Sequence, residues 1–239
     1  FSYWFYVTMT GSPFEFDPGD VGFYNELGKY GASLLREGNW NLFKAFSDYS
    51  GADYSDLGYP LYLSFVCWLT GDSILIARLF KAVWSAWTAL LIYKLAARNF
   101  GESTGRMAGV LCMLMPNLIY YCGLHLKEIE MVFLAVLFAE RADYILRRGK
   151  LTFGPTAALM LLPGALFTIR TALAAVLVLA FLCALLLSSD RVVGWGRRAL
   201  LIVIASAFVG AVMLNNTSIG NSVRVMWQTR GSEQKGNME

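Results

Sequence analysis

The sequence predicts an all-α protein, a polytopic transmembrane helical bundle whose first outer loop carries interfacial helices, and three observations lead there. Hydrophobic residues make up 56% of the 239 residues and charged residues 15%, and the mean hydropathy is +0.49, a balance that few soluble domains of this length reach. Apolar stretches long enough to cross a bilayer alternate with short basic clusters (Lys94, Arg98, Arg106; Arg147, Arg148, Lys150; Arg191, Arg197, Arg198) that fall on alternate connections. Those connections are assigned to the cytoplasm. Residues 10–72, by contrast, mix acidic, aromatic and glycine residues around one short apolar run, and are assigned to the outer side.

Taken in order, residues 1–9 (FSYWFYVTM) are too short to span and lack the basic start of a signal peptide, so they read as the outer end of a truncated first transmembrane helix. Within 10–72, Pro18 suits the first position of a helix capped by Asp17. Tyr24, Leu27, Tyr30, Gly31, Leu34 and Leu35 then recur at three- and four-residue spacing, which predicts a helix floating at the interface with its aromatic face down. Tyr59 to Leu69 would be about 16 Å long as a helix, half of a roughly 30 Å hydrocarbon core, so it should dip into the membrane or lie along it.

Residues 73–214 are expected to supply about six transmembrane helices, for about seven crossings in all. Ser73 to Ala97 runs inward to the basic connection at Arg98, and Gly105 to Leu124 returns through a kink at Pro116. Glu128 to Leu146 goes back in, Leu151 to Ile169 and Thr171 to Leu187 form an apolar pair hinged at Arg170, and Leu200 to Leu214 comes out last. The polar tail, 215–239, reads as an outer loop, and the chain is expected to be a piece of a longer protein. No repeat of 20 to 50 residues and no low-complexity tract interrupts it.

The net charge of +3 comes mostly from the connection clusters and reports topology, so nothing in the composition supports a nucleic-acid partner. Cys67, Cys112, Cys122 and Cys183 lie in apolar surroundings without metal-binding spacing and read as buried small hydrophobes, with neither zinc nor a disulfide framework. The chemistry-bearing residues gather on the outer connections: Asp17, Asp20 and Glu26 near the start, His125, Lys127 and Glu128 in the middle, and Arg170 later. A candidate site therefore faces outward.

The order of short motifs adds to this. Gly19-Asp20-Val21-Gly22-Phe23-Tyr24, continuing to Leu35 and Gly38, resembles the acidic, tyrosine-bearing first outer loop of GT-C class glycosyltransferases, the polyprenyl-phosphate-sugar enzymes that include protein O-mannosyltransferases and the aminoarabinose transferase of lipid A. Gly58-Tyr59-Pro60-Leu61, Gly71-Asp72-Ser73, Ala77-Arg78-Leu79, the run from Tyr93 to Gly101 and Leu126-Lys127-Glu128 are similar to that family's pattern in order and spacing, from about residue 17 to residue 148.

The resemblance implies inverting transfer of a sugar from a polyprenyl-phosphate donor to a lipid, glycan or protein acceptor, at the periplasmic face of a bacterial inner membrane. A carboxylate must take the proton of the attacking hydroxyl, help of about 10²–10⁴-fold. Asp20 matches the family's position for that base, and Asp17 is the fallback. The lipid phosphate leaves with growing negative charge, for which Lys127, Arg78 and Arg170 are the candidate cations, with Glu128 and Tyr24 beside them in the donor site. No cofactor is expected. A divalent ion on Asp17, Asp20 and Glu128 is the weaker alternative, since Asp17-Pro18-Gly19-Asp20 stands where a DxD pair would be.

Plainer roles stand beside these. Asp17 and Asp20 can cap a surface helix, Lys127 can snorkel, Glu128 can pair with it, and His125 can be structural. Tyr59, Tyr62, Trp68, Tyr120 and Tyr121 suit an interfacial belt as well as a sugar or lipid. A transporter or flippase is the competing class, although the two related halves such a protein would show are missing. A sugar-polymer polymerase or ligase is another, kept open by Arg224 and Arg230.

Overall fold

The computed structural model describes residues 2–12, 14, 19–50, 56–148 and 153–187, together with residues 195, 196, 199, 202, 203 and 206. Among the described residues the chain forms ten α-helices and no strand. These are α1 (Ser2–Thr10), α2 (Gly19–Arg36), α3 (Leu42–Ser50), α4 (Gly58–Thr70), α5 (Ile74–Phe100), α6 (Glu102–Met113), α7 (Pro116–Gly123), α8 (Glu128–Arg148), α9 (Phe153–Ile169) and α10 (Thr171–Leu187). The span expected at Leu200 to Leu214, the tail beyond it, Asp17, Pro18 and the cluster Arg191, Arg197, Arg198 fall outside the described residues.

Asp20 in the first turn of α2 and Arg36 in its last complement the helix dipole, and the helix closes on Gly38, whose φ of +81° lets the Asn39 amide reach back to the Leu34 carbonyl at 2.9 Å. The face expected to float on a membrane is instead packed on α4. Val21, Tyr24, Leu27 and Leu35 are buried there, and a side chain on Gly31 would collide with Ser64 and Phe46. The sequence pattern predicted the face correctly and its partner wrongly, because a helix only half as long as a span offers the same apolar cover as lipid. Leu27, Leu35, Leu42, Phe46 and Leu57 join α2, α3 and α4 in one apolar cluster.

Among the described residues α5 is the one helix long and apolar enough to cross a membrane; Ala157–Ile169 and Thr171–Leu185 are shorter apolar helices. Its 27 residues give a length of about 40 Å. The chain then doubles back at Gly101, and α6 lies close against α5 because Gly105 and Gly109 face Ala97 and Tyr93. The return was expected as one helix kinked at Pro116, but it is two. Met115 is extended (φ −65°, ψ 116°), as steric pressure from a following proline favours, so α6 stops and α7 starts anew with Pro116 in its first turn.

Lys81 of α5 meets Glu130 of α8, and Arg98 of α5 meets Glu140 of α8, so the two helices run parallel, with α6 and α7 returning between them in the chain. α9 packs back against α8 and α10 follows α9 in the opposite sense, with Phe138, Ala142, Ile145, Leu159, Leu162, Phe181 and Leu185 as their core. Gly58 at the start of α4 abuts Thr168 near the end of α9 so closely that a Cβ there would overlap it. One end of the bundle therefore gathers the starts of α4, α5, α8 and α10, and the other gathers Arg98, Arg106 and Arg147.

Candidate functional site

Three layers of residues meet at the end of the bundle that holds the starts of α5 and α8. The outermost is Asp20, exposed in the first turn of α2. One turn on, Tyr24 is buried with its ring edge-on to Tyr59 of α4 at 5.2 Å. Burial pushes the Tyr24 phenol above its ordinary pKa; Lys127 opposes this, while the charges of Asp56 and Asp20 add to it. Two predicted residues, Asp20 and Lys127, thus act on a third.

Lys127 forms the second layer. It lies in the short connection before α8, is 6% exposed, forms an ion pair with Asp56 and sits 5.3 Å from the centre of the Tyr24 ring. Burial works against its charge, but the bonds to Asp56 and Tyr24 outweigh that cost and its pKa is raised, so it stays an ammonium at neutral pH. Its partner is therefore Asp56 and not the adjacent Glu128. Glu128 opens α8 half-buried, and its Oε2 is buried without a hydrogen bond.

The third layer is inside the helix pair. Arg78 is 6% exposed and lies 5.8 Å from the Tyr3 ring, lining a cavity of about 490 Å³ between α1, α5 and α7. One turn further, Lys81 is 1% exposed, donates to the Leu126 carbonyl, and stands 3.5 Å from Oε2 of Glu130 and 5.2 Å from the centre of the Tyr59 ring. His125 is buried between Tyr59 and Phe14, each ring centre 6.3 Å away. Burial, helped by the Lys81 and Arg78 charges, brings the His125 imidazole down to about 3, so it is a neutral ring near pH 7 and adds no charge to the site.

Arg170 stands apart. It occupies the single non-helical position between α9 and α10, at the same end of the bundle, with its side chain exposed. The sequence led us to expect a buried charge in need of a partner; exposure removes that need, because the guanidinium is solvated. Asp17 lies outside the described residues. Among the described residues no group of three or more His, Cys, Asp or Glu side chains is placed to hold a metal ion.

Two acids that hold the site together, Asp56 and Glu130, were not singled out in the sequence. Glu130 had a signal, a second carboxylate two residues into an apolar run where an unpaired charge is costly. Asp56 had none, since its partner lies 71 residues away. Comparison of the chain with family models, with curated proteins and with solved structures finds no match.

Proposed function

We propose that the chain is the N-terminal part of a polytopic membrane glycosyltransferase of the GT-C class, which moves a sugar from a polyprenyl-phosphate donor to an acceptor at the outer face, with inversion. The observation that carries this reading is the meeting of a solvent-exposed carboxylate, Asp20, with a buried layer of cations, Lys127, Arg78 and Lys81, at one end of a helical bundle. The parallel course of α5 and α8 supports the orientation, because it sets that layer opposite the basic end formed by Arg98, Arg106 and Arg147.

In this reading Asp20 takes the proton from the acceptor hydroxyl as its oxygen bonds to the anomeric carbon, and the carbon–oxygen bond to phosphate breaks on the opposite side. The pair of electrons leaves with the lipid phosphate, whose charge Lys127 and Arg78 meet in a site with little water, where fixed cations act most strongly. Tyr24 orients Lys127, and Glu128 flanks it. Arg170, solvated at the rim, takes the outer oxygens of the same phosphate. The acceptor is a lipid, glycan or protein, and a transporter of lipid-linked saccharides is the reading this one displaces, since a carrier has no use for a base.

Transfer of radiolabelled sugar from a panel of polyprenyl-phosphate sugars, measured on the full-length protein in membranes, tests it. We expect Asp20→Asn to lower transfer at least about 100-fold while the protein stays inserted, and Arg170→Ala to raise the donor KM several-fold with kcat little changed. An Asp20→Asn protein as active as the wild type would remove the base and the reading with it.

A further inference from the structure

A groove of about 350 Å³ runs between α4, α5, α8 and α9, on the other side of Lys81 from the Arg78 cavity. Its walls are aromatic, formed by Tyr59, Tyr62, Trp84 and Phe133, and Glu130 is the carboxylate among its lining residues. Trp84 and Tyr62 are held to each other by a 3.0 Å hydrogen bond from the indole Nε1 to the phenol oxygen, so this wall is set before any ligand arrives.

Glu130 is the informative residue. It is 6% exposed, and neither Oε1 nor Oε2 accepts a hydrogen bond. Lys81 balances its charge at 3.5 Å but does not satisfy its oxygens, because the ammonium donates to the Leu126 carbonyl instead. Leaving a buried acceptor unmade is costly, and a charged one more so. Water or a ligand with adjacent donors would relieve that cost.

The charge balance selects the ligand. An anion entering the groove meets Glu130, and a cation meets Lys81. A neutral molecule meets neither penalty, and the one that fits both halves of the groove carries neighbouring hydroxyls on a ring with apolar C–H faces. Vicinal hydroxyls supply two donors to the two carboxylate oxygens, and the C–H face lies on the aromatic wall.

We propose that this groove binds a single neutral pyranose ring through Glu130 and the Tyr62–Trp84 wall. Resting on the glycosyltransferase reading, this makes the groove the sugar subsite of the donor, with its phosphate beyond Lys81 on the Arg78 side. It also restricts the donor to an uncharged sugar, because an amino sugar would bring its ammonium against Lys81.

Saturation-transfer NMR on the purified full-length protein in detergent tests the proposal, with millimolar methyl glycosides of neutral hexoses and pentoses as probes, and glucosamine and glucose 1-phosphate as the cationic and anionic controls. We expect at least one neutral glycoside to receive saturation, the signal to fall about tenfold in Glu130→Gln, and Asp20→Asn to leave it unchanged. Should Glu130→Gln fail to fold, Ala165→Trp gives the second reading: Ala165 is an exposed residue of α9 that lines the groove away from Lys81 and Glu130, and an indole there fills the space. No signal from any neutral glycoside, a stronger signal from either charged sugar, or a signal that survives Ala165→Trp would overturn the subsite. Binding in the groove by a protein that transfers nothing from any donor would sink the transferase reading and leave the subsite standing.

Discussion

The pair α5 and α8 carries charges at both ends, and the two ends use them differently. At the Arg98 end the guanidinium pairs with Glu140 and, at 3.0 Å, with Asp143; Arg147 reaches the same Asp143 at 2.9 Å, and Asn99 donates to it at 3.3 Å. Arg98 also lies 5.6 Å from the centre of the Tyr144 ring. At the other end the pair Lys81–Glu130 is looser, at 3.5 Å, and has a cavity on each side. Both pairs are too buried to be placed for a net gain in stability alone. What differs is closure: the Arg98 network spends its donors and acceptors on itself, whereas Glu130 keeps its oxygens open beside empty space. A helix pair with one closed end and one open end is a rigid support carrying a site.

The largest effect that would break this contrast is all-or-none. If the ends lie on opposite sides of a membrane, a membrane-impermeant maleimide applied to sealed cells should label Glu37→Cys, exposed after α2, and leave Ser103→Cys, exposed at the start of α6, unlabelled until the membrane is opened. Labelling of both before opening would abolish the assignment of the two ends to two sides, and the site with it.

Next in size is the loss of the closed network. Arg98→Ala removes the cation from Glu140, whose side chain is 5% exposed, and leaves that carboxylate buried beside helix backbone. The expected cost is about 3 kcal/mol, read as a lower unfolding midpoint in detergent. Transfer and glycoside binding per folded molecule should be unchanged, because the open end keeps all its partners. A variant as stable as the wild type would show that the network is ornamental.

Much of the fold was legible because apolar runs and their breaks are local. Thr171 to Leu187 is found as predicted to the residue, α8 opens at Glu128 where a span was expected to, and the stretch read as too short to cross is a 13-residue helix. What escaped were matters of partner. The face of α2 was visible in its spacing, but Gly28 and Gly31 read as weak helix positions until Leu63 and Ser64 of α4 are seen to need the room. Lys127 was visible as a cation near a boundary, but its pairing with Asp56 depends on two loops that only the fold brings together. Arg170 was misread because a helix junction and a helix interior look alike in a run of apolar residues.

His125 makes the open end sensitive to acid. Its folded-state pKa, about 3, lies below the unfolded value of about 6.5, so between those values the unfolded chain binds a proton that the folded one refuses. Stability should therefore be unaffected by this group above about pH 7 and fall as the pH drops below it, by up to about 1.4 kcal/mol per pH unit. Unfolding midpoints at pH 7 and pH 5 check the sign. His125→Gln should flatten the difference; a wild type equally stable at both values would mean the ring can be protonated in place, and the layer around Lys81 and Arg78 would have to be wetter than the structure has it.

The smallest effect is expected where the chemistry of the closed end is repeated in solvent. Arg36 reaches from the last turn of α2 to Asp72 at 3.2 Å and to the Cys67 carbonyl at 3.3 Å, tying the ends of α2 and α4 much as Arg98 ties α5 to α8. The difference is burial, since the two side chains are 45% and 35% exposed. Water already screens this pair, so Arg36→Ala should cost no more than about 1 kcal/mol. Asp72 adds a condition of its own: it holds a φ of +66° directly after Gly71 at +68°, a conformation that an aspartate adopts at some strain and that Arg36 helps to retain. Measured against Arg98→Ala, the ratio of the two losses tests whether burial or merely the presence of an ion pair makes the closed end rigid. Equal losses would assign the rigidity to the pairing alone, and the distinction between the two ends of α5 and α8 would then rest on Glu130 and its groove.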